Sequence, residues 1–162
     1  MEQQTLTKNP ADRVRDGSTV ATTKEPRGIR NNNPLNIEWH KETRWQGLAP
    51  MPTDGRFARF IDMKYGFRAA FIVLRKYLAQ PPIGYGLETI PQLIARWAPS
   101  TENNSTLYAK TVSTRSGVSP MQRLSFSNKP QMCRIVQAMA FVETGKTLPI
   151  SLIQDSYELA RR

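Results

Sequence analysis

The strongest constraint on the fold is an amphipathic segment near the middle of the chain, KYGFRAAFIVLRKYLA at positions 64–79. Its apolar residues recur every three or four positions, the spacing that places side chains on one face of an α-helix. Consecutive prolines at positions 81 and 82 end the segment, because proline lacks the N–H that a helix requires. A helix with one apolar face is stable only when other elements cover that face, so the segment predicts a packed helical domain.

Four further segments are predicted to be helical. Each is bounded by residues typical of helix ends, either polar caps such as Ser, Thr and Asn or a following Gly or Pro. The segments are 89–97, 105–116, 129–144 and 151–160. The sequence therefore predicts about five helices.

A small β-hairpin is predicted before these helices. The sequence NNNP at positions 31–34 is typical of a turn, because Asn tolerates left-handed backbone geometry and Pro favours an extended residue before it. The extended segments 35–39 and 56–61 are expected to pair across a loop that contains Pro50, Pro52 and Asp54-Gly55. The predicted fold class is α+β, mostly helical, with one small hairpin.

Apolar content and charge divide the chain into two parts. Residues 1–26 are almost devoid of large apolar side chains, so we predict a flexible arm there and one folded domain at 27–162. The formal net charge of the chain is +10. Residues 1–30, which include the arm, hold six Lys or Arg and four Asp or Glu and so contribute +2, and residues 31–162 contribute the remaining +8. This charge indicates an anionic partner, either nucleic acid, an anionic membrane surface or the anionic polymers of bacterial walls.

Several chemistries are excluded by residue counts. The chain has one histidine, His40, and one cysteine, Cys133, so it offers no His-rich or thiolate-rich metal site and no internal disulfide. Cys133 lies in a helical pattern and is expected to be buried. No phosphate-binding glycine-rich loop is present, so we expect neither a metal nor a cofactor. No run of about 18 apolar residues and no apolar leader segment occurs, which predicts neither a membrane span nor a Sec signal peptide.

A first resemblance rests on four linked motifs. They are RGIRNNNPLNIEW, RWQGL, FARFIDMKYGFRAAFIVLRKYL and TIPQLIARWAPSTENNSTLYAKTVSTRSGV. Over positions 27 to about 142 the chain resembles small phage and prophage proteins, commonly labelled virion structural proteins, that carry an RGIRNNNPGNI signature. Leu35 stands where that family usually has glycine. The resemblance implies a location in the virion, or in the host cytoplasm before release, and other virion proteins as partners.

A second, more distant resemblance concerns mechanism. Glucosaminidases of the flagellar-autolysin type, in the lysozyme-like superfamily, carry in order an NNLFGIK strand, a WTG element, an F-x-x-Y strand leading into a helix, and an AGYATDPNYA segment. The corresponding order here is NNNPLNI, RWQG, FARFIDMKYGFRAAF and ARWAPSTENNSTLYA. The resemblance implies a lysozyme-like fold whose groove holds a glycan strand. Those enzymes have an acid glutamate on an earlier helix, whereas this chain has only Glu25, which precedes a proline.

Glycoside cleavage needs a protonated carboxyl and usually a second charged group about 5 to 10 Å away. Our candidates for the catalytic pair are Glu38, beside a tryptophan in the predicted hairpin, and Glu102, in a polar helix cap; Asp54 and Asp62 are weaker. The alternatives are an exposed strand residue for Glu38 and a capping residue for Glu102. Candidates for binding the sugar through amides and aromatic rings are Asn31, Asn32, Asn33, Trp39, Trp45, Trp97 and Tyr108. These amides could instead satisfy turn backbone, and the rings could belong to the core.

The favoured hypothesis is a phage-derived protein that acts on peptidoglycan as a muramidase, glucosaminidase or lytic transglycosylase. The alternative is a non-enzymatic virion component whose groove binds glycan or another virion protein. A third hypothesis, nucleic-acid binding, rests on net charge, and we consider it unlikely because the basic residues are scattered through several predicted helices.

Overall fold

A computed structural model describes residues 25–99 and 104–162. The predicted arm at 1–26 lies outside the described residues except for its last two positions, and so does Glu102. Within the described residues there are six helices and one antiparallel two-stranded sheet. The elements are α1 (Arg27–Arg30), β1 (Leu48–Thr53), β2 (Ala58–Phe60), α2 (Met63–Leu78), α3 (Ile90–Trp97), α4 (Ser105–Ser116), α5 (Lys129–Thr144) and α6 (Ile150–Arg161). The predicted α+β, mostly helical class is confirmed.

The helices begin and end where local signals place them. The side chains of Asp62, Thr89, Asn104 and Asn128 accept hydrogen bonds from free N–H groups in the first turns of α2, α3, α4 and α5. Helices α4 and α5 each end at a glycine in the left-handed conformation. Both therefore have the predicted boundaries. The single turn of α1 was not predicted, because four residues carry no measurable periodicity.

The position of the first strand was predicted wrongly. Residues 35–39 form only an isolated bridge, between Glu38 and Phe57, and the partner of β2 is the later segment β1. β1 contains two prolines, which disfavour a central strand but are compatible with an edge strand in a two-stranded sheet. Of the residues predicted to form the loop, Asp54 and Gly55 do connect the strands, and Gly55 has φ of 112°, whereas Pro50 and Pro52 lie within β1.

The core is built around α2, the segment that gave the clearest helical pattern. Phe67, Phe71 and Leu74 are fully buried, and Phe71 meets Tyr157 of α6 edge to face with ring centroids 5.4 Å apart. Helix α4 packs against both α3 and α5, which extends the same core. Cys133 is buried as predicted, and burial raises the pKa of its thiol to about 11. No helix among the described residues is long and apolar enough to cross a membrane.

Candidate active site

The consecutive asparagines at 31–33 all donate their side-chain amides to groups within the protein. Asn31 Nδ2 donates to Asp54 Oδ2 at 2.9 Å, and Asn32 Nδ2 donates to the carbonyl oxygen of Phe60 at 3.0 Å. Asn32 has φ of 53°, the left-handed geometry expected of a turn asparagine. These amides connect the turn after α1 to the hairpin, so they have a structural role in this region.

Asn33 is the most deeply buried of the three, with no exposed surface. Its Nδ2 donates to the carbonyl oxygens of Ile37 and Ala58 at 2.9 and 2.8 Å, and its Oδ1 accepts from the N–H of Ile37 at 2.9 Å. One side chain thus bonds three backbone groups of the irregular segment 35–39 and β2, and the carbonyl oxygen of Ile37 also accepts from the N–H of Ala58 at 2.9 Å.

Asp54 joins the hairpin turn to α1. Its Oδ2 also accepts from Arg27 Nε at 2.6 Å, and its Oδ1 accepts from the N–H groups of Arg56 and Phe57 at 3.0 and 2.8 Å. Burial of this carboxyl acts to raise its pKa, but the hydrogen bonds from Arg27, Asn31 and the two backbone N–H groups outweigh burial and hold the pKa well below its ordinary range. Asp54 is therefore ionised at neutral pH and cannot serve as a proton donor.

Glu38 lies next to the hairpin with 23% of its side chain exposed, and its Oε2 accepts from Arg56 Nη2 at 3.2 Å. The neighbouring rings of Trp39 and Trp45 are half-buried and pack against the core with one part while the rest faces solvent.

The two other aromatic candidates are interior residues. Trp97 has no exposed surface and meets Tyr77 edge to face at 6.4 Å. Tyr108 is 4% exposed, and its hydroxyl donates to Glu143 Oε2 at 2.9 Å. In this structure neither ring presents a face to solvent on which a sugar could stack.

Glu143 forms the centre of a polar cluster that the sequence hypothesis did not include. Its Oε1 accepts from Asn36 Nδ2 at 3.1 Å and its Oε2 accepts from Tyr108, while the residue is only 7% exposed. Asn36 itself is buried and has φ of 55°. A buried carboxyl is thus held by two neutral donors, one from the asparagine-rich segment and one from α4.

No other carboxyl in the described part of the chain has such surroundings. The remaining acidic side chains there are ion-paired, cap a helix or lie at the surface, and Glu143 is the one acidic residue among them that is buried. No cation among the described residues pairs with it. Glu143 is therefore the one buried carboxyl of the described residues, and an amide and a phenol hold it in place.

A sequence signal for Glu143 existed. The residue follows Val136 by seven positions and Met139 by four, which places it on the same buried face of α5 as those apolar side chains. It also lies in the last turn of the helix, where a negative charge is unfavourable to the helix dipole. An acidic side chain is unfavourable both on a buried apolar face and at the C-terminal end of a helix, so its presence at position 143 indicates a functional or structural role.

Comparison with known proteins identifies the family. No protein-family model matches the chain. The chain is 36% identical over 121 residues to Protein P5 of Pseudoalteromonas phage PM2, an alignment that spans 74% of this chain and 71% of that protein. The chain belongs to the Protein P5 family.

Membership of the Protein P5 family confirms the resemblance to phage proteins in its coarser form. The RGIRNNNPGNI signature and the relation to lysozyme-like enzymes stay predictions. Within the described residues, no three His, Cys, Asp or Glu side chains of this Protein P5 relative gather closely enough to hold a metal ion.

Proposed function

We propose that this protein is a component of the phage particle that acts on the peptidoglycan of the host wall and cleaves its glycan strands, with Glu143 as the general acid. The observation that carries the proposal is the cluster of Asn36, Glu143 and Tyr108. The two donors belong to the NNNPLN and STLYA segments, which correspond to elements of the glucosaminidase pattern. Their meeting on a buried carboxyl supports a glycan site between these elements.

The chemistry follows from the difference between two carboxyls. Glu143 is bonded by neutral groups and can carry the proton that the leaving glycosidic oxygen receives as its bond to the anomeric carbon breaks. Glu38, two residues after Asn36 and paired with Arg56, is the candidate for the second carboxyl, which would stabilise positive charge on the sugar ring. A water, or a hydroxyl of the sugar itself, then forms the new bond to the anomeric carbon and gives its proton to the Glu143 carboxylate, which restores the acid. Glu102, predicted as the other member of the pair, stays a candidate.

The decisive experiment is incubation of the purified protein with peptidoglycan sacculi, followed by mass analysis of released fragments. Anhydro-muramic ends, reducing muramic ends and reducing glucosamine ends would identify a transglycosylase, a muramidase and a glucosaminidase respectively. Glu143→Gln is nearly isosteric, and its amide can still accept from Asn36 while donating to the oxygen of Tyr108. We expect fragment release to fall by about 10² or more, because the transferable proton is lost.

Three variants complete the design. Glu38→Gln and Glu102→Gln test the second group, and Glu42→Gln at an exposed position is the matched control with the same charge change. Thermal unfolding of each variant separates lost chemistry from lost structure. Full activity of Glu143→Gln would reject its role as the acid.

A second candidate function is a non-enzymatic virion component in which Glu143 connects three elements. Its support is the 7% exposure of Glu143 and the engagement of both carboxylate oxygens, which leaves little access for a substrate. This function requires that the wild type release no fragments from sacculi at any pH between about 4 and 9, the range in which such acids work.

A further inference from the structure

A second region, at the opposite end of α5, forms an open groove lined by cations. Two adjoining cavities of about 450 and 500 Å³ share Arg75, Phe126 and Ser127, so they form one continuous depression. Arg161 and Lys129 line one cavity, and Arg123 lines the other. The four cations come from α2, the loop before α5, the first residue of α5 and the end of α6.

The groove carries an excess of positive charge. Glu158 is the one acidic residue that lines it, and it pairs with Lys129 Nζ at 2.8 Å and with Arg161 Nε at 3.0 Å. Arg123 pairs with Glu88 at 3.0 Å while 73% of its side chain stays exposed. Four cations thus face two paired carboxylates, and each cation retains N–H groups for a further acceptor.

The aromatic residues of the groove hold its cations and give no platform for stacking. Phe126 stacks on Tyr157 with centroids 5.1 Å apart, and the guanidinium of Arg75 lies 5.5 Å from the centre of the Phe126 ring. Arg75 Nη1 also donates to the carbonyl oxygen of Ala160 at 2.9 Å, which fixes its position at the end of α6. A ligand of this groove would therefore meet the held guanidinium of Arg75, the exposed cations Arg123 and Arg161, and the hydroxyls of Ser125 and Ser127.

We propose that this groove binds the sugar–phosphate backbone of a nucleic acid strand. Phosphodiesters spaced along a flexible strand match cations spaced along a continuous depression, and guanidinium groups pair with phosphate oxygens through two hydrogen bonds. The covered faces of Phe126 exclude base stacking there, so binding is independent of sequence and strongly dependent on salt. Lys129 and Glu143 are fourteen residues apart on α5, about 21 Å along the helix axis, so this site is separate from the candidate active site.

The test is the salt dependence of binding to a fluorescently labelled oligothymidine of about 20 nucleotides, long enough to cover the groove. The double variant Arg123→Gln with Arg161→Gln removes two exposed groove cations. Its control, Lys41→Gln with Lys110→Gln, removes two exposed cations elsewhere and lowers the net charge equally. For the groove variant we expect the slope of log affinity against log salt to fall by about 1.4, since each phosphate contact on a single strand contributes about 0.7. The control should keep the wild-type slope.

A variant that is expected to bind more tightly complements the double variant, because misfolding could explain a loss of binding but not a gain. Glu158→Gln removes the acid from the groove and releases Lys129 and Arg161 from their ion pairs. We expect tighter binding to the oligonucleotide by several fold, and little change for the exposed control Glu42→Gln. Vesicles with and without anionic lipid form the second arm, because Ile83 and Met121, 75% and 87% exposed, would suit a lipid surface.

Three outcomes would overturn the proposal. The wild type could fail to bind the oligonucleotide at about 50 mM salt, where such contacts are strong. The groove and control double variants could weaken binding equally, which would assign the effect to net charge. Anionic vesicles could bind in a groove-dependent way while the oligonucleotide does not, which would assign the groove to lipid.

Discussion

The asparagine-rich region at 27–62 and the helical region at 63–162 are stabilised by different forces. In the first, side chains of Asn31, Asn32 and Asn33 hold irregular backbone through specific hydrogen bonds. In the second, the apolar faces of the helices cover one another in a continuous hydrophobic core, and the backbone hydrogen bonds are made within the helices themselves. The irregular region can place polar groups where a helix could not, which is why it contributes Asn36 to the candidate site.

The two regions share one hydrophobic core, to which Leu35, Ile37, Ala58 and Phe60 belong, and they also touch through two contacts that a single substitution can disturb. Gly66 in the first turn of α2 lies against the backbone of Asn32 and Asn33, and Asn36 bonds to Glu143 near the end of α5. The close approach at Gly66 lets the asparagine turn rest directly on the helix. Disturbing either contact tests whether the irregular region depends on the helical one.

The largest effect is expected for Gly66→Ala. A Cβ there would collide with the carbonyl oxygen of Asn32 and lie 3.0 Å from Asn33 Cα, and backbone atoms cannot yield as a flexible side chain can. We expect a loss of about 3 kcal/mol or more in the free energy of unfolding, measured by denaturant titration. Gly117→Ala is the matched control, because a Cβ at position 117 would meet nothing within 4 Å. Only the left-handed φ of 74° disfavours alanine there, and we expect it to lower the free energy of unfolding by about 1 kcal/mol. Equal losses of unfolding free energy in both variants would mean that the two regions are not closely packed at Gly66.

Asn33→Ala comes next in expected size. The change leaves buried groups of Ile37 and Ala58 without the partners that one amide supplies, and we expect a loss of about 2 to 3 kcal/mol. Asn104→Ala is the control, since Asn104 caps α4 through a single bond to the N–H of Leu107 and should cost about 1 kcal/mol. Denaturant titration of both variants measures the two losses. A loss for Asn33→Ala no greater than that for Asn104→Ala would contradict the central role of Asn33 in the irregular region.

Asp54→Asn should make a smaller, pH-dependent difference. The folded-state pKa of Asp54 is depressed, so its stabilisation is complete above the unfolded value of about 3.9 and is lost as pH falls through the folded value. At pH 7 we expect the variant to be less stable by about 1 to 2 kcal/mol, because 19% of the side chain is exposed and solvent screens its bonds. The gap between wild type and variant should narrow below about pH 4. A gap that stays constant down to pH 2 would assign the effect to shape and not to charge.

The same contrast explains what the sequence could reveal. Helices α4 and α5 were predicted at their observed boundaries, because periodicity and caps are encoded within a few residues of each end. The contacts of the asparagine-rich region join residues 23 to 28 positions apart, and the Asn36 to Glu143 bond joins residues 107 positions apart. No local pattern encodes such pairs, so Glu143 was missed although its place on a buried helix face was visible.

The cation groove was hidden for a related reason. Arg75, Arg123, Lys129 and Arg161 are scattered along the sequence, and only the packing of α6 on α2 and the loop before α5 bring them together. Scattered basic residues had argued against nucleic-acid binding. Spacing along the chain is therefore a poor guide to charge clustering in a helical domain.

The smallest effect on stability is expected for Trp39→Ala and Trp45→Ala, whose rings lie in the irregular region and are candidates for contact with glycan. Each ring is only partly buried against the core, so we expect losses of about 1 kcal/mol, well below the roughly 3 to 5 kcal/mol of a fully buried aromatic. If the exposed parts of the rings contact glycan, pull-down with sacculi should weaken by about tenfold or more, because aromatic anchors are among the residues that contribute most to binding at an interface. Tyr85→Ala is the control, because Tyr85 is an aromatic residue of comparable exposure that lies outside the hairpin and stacks with Arg96. Stability losses of several kcal/mol with sacculus binding intact would instead make both tryptophans part of the core, and the irregular region would then stabilise the fold without touching the wall.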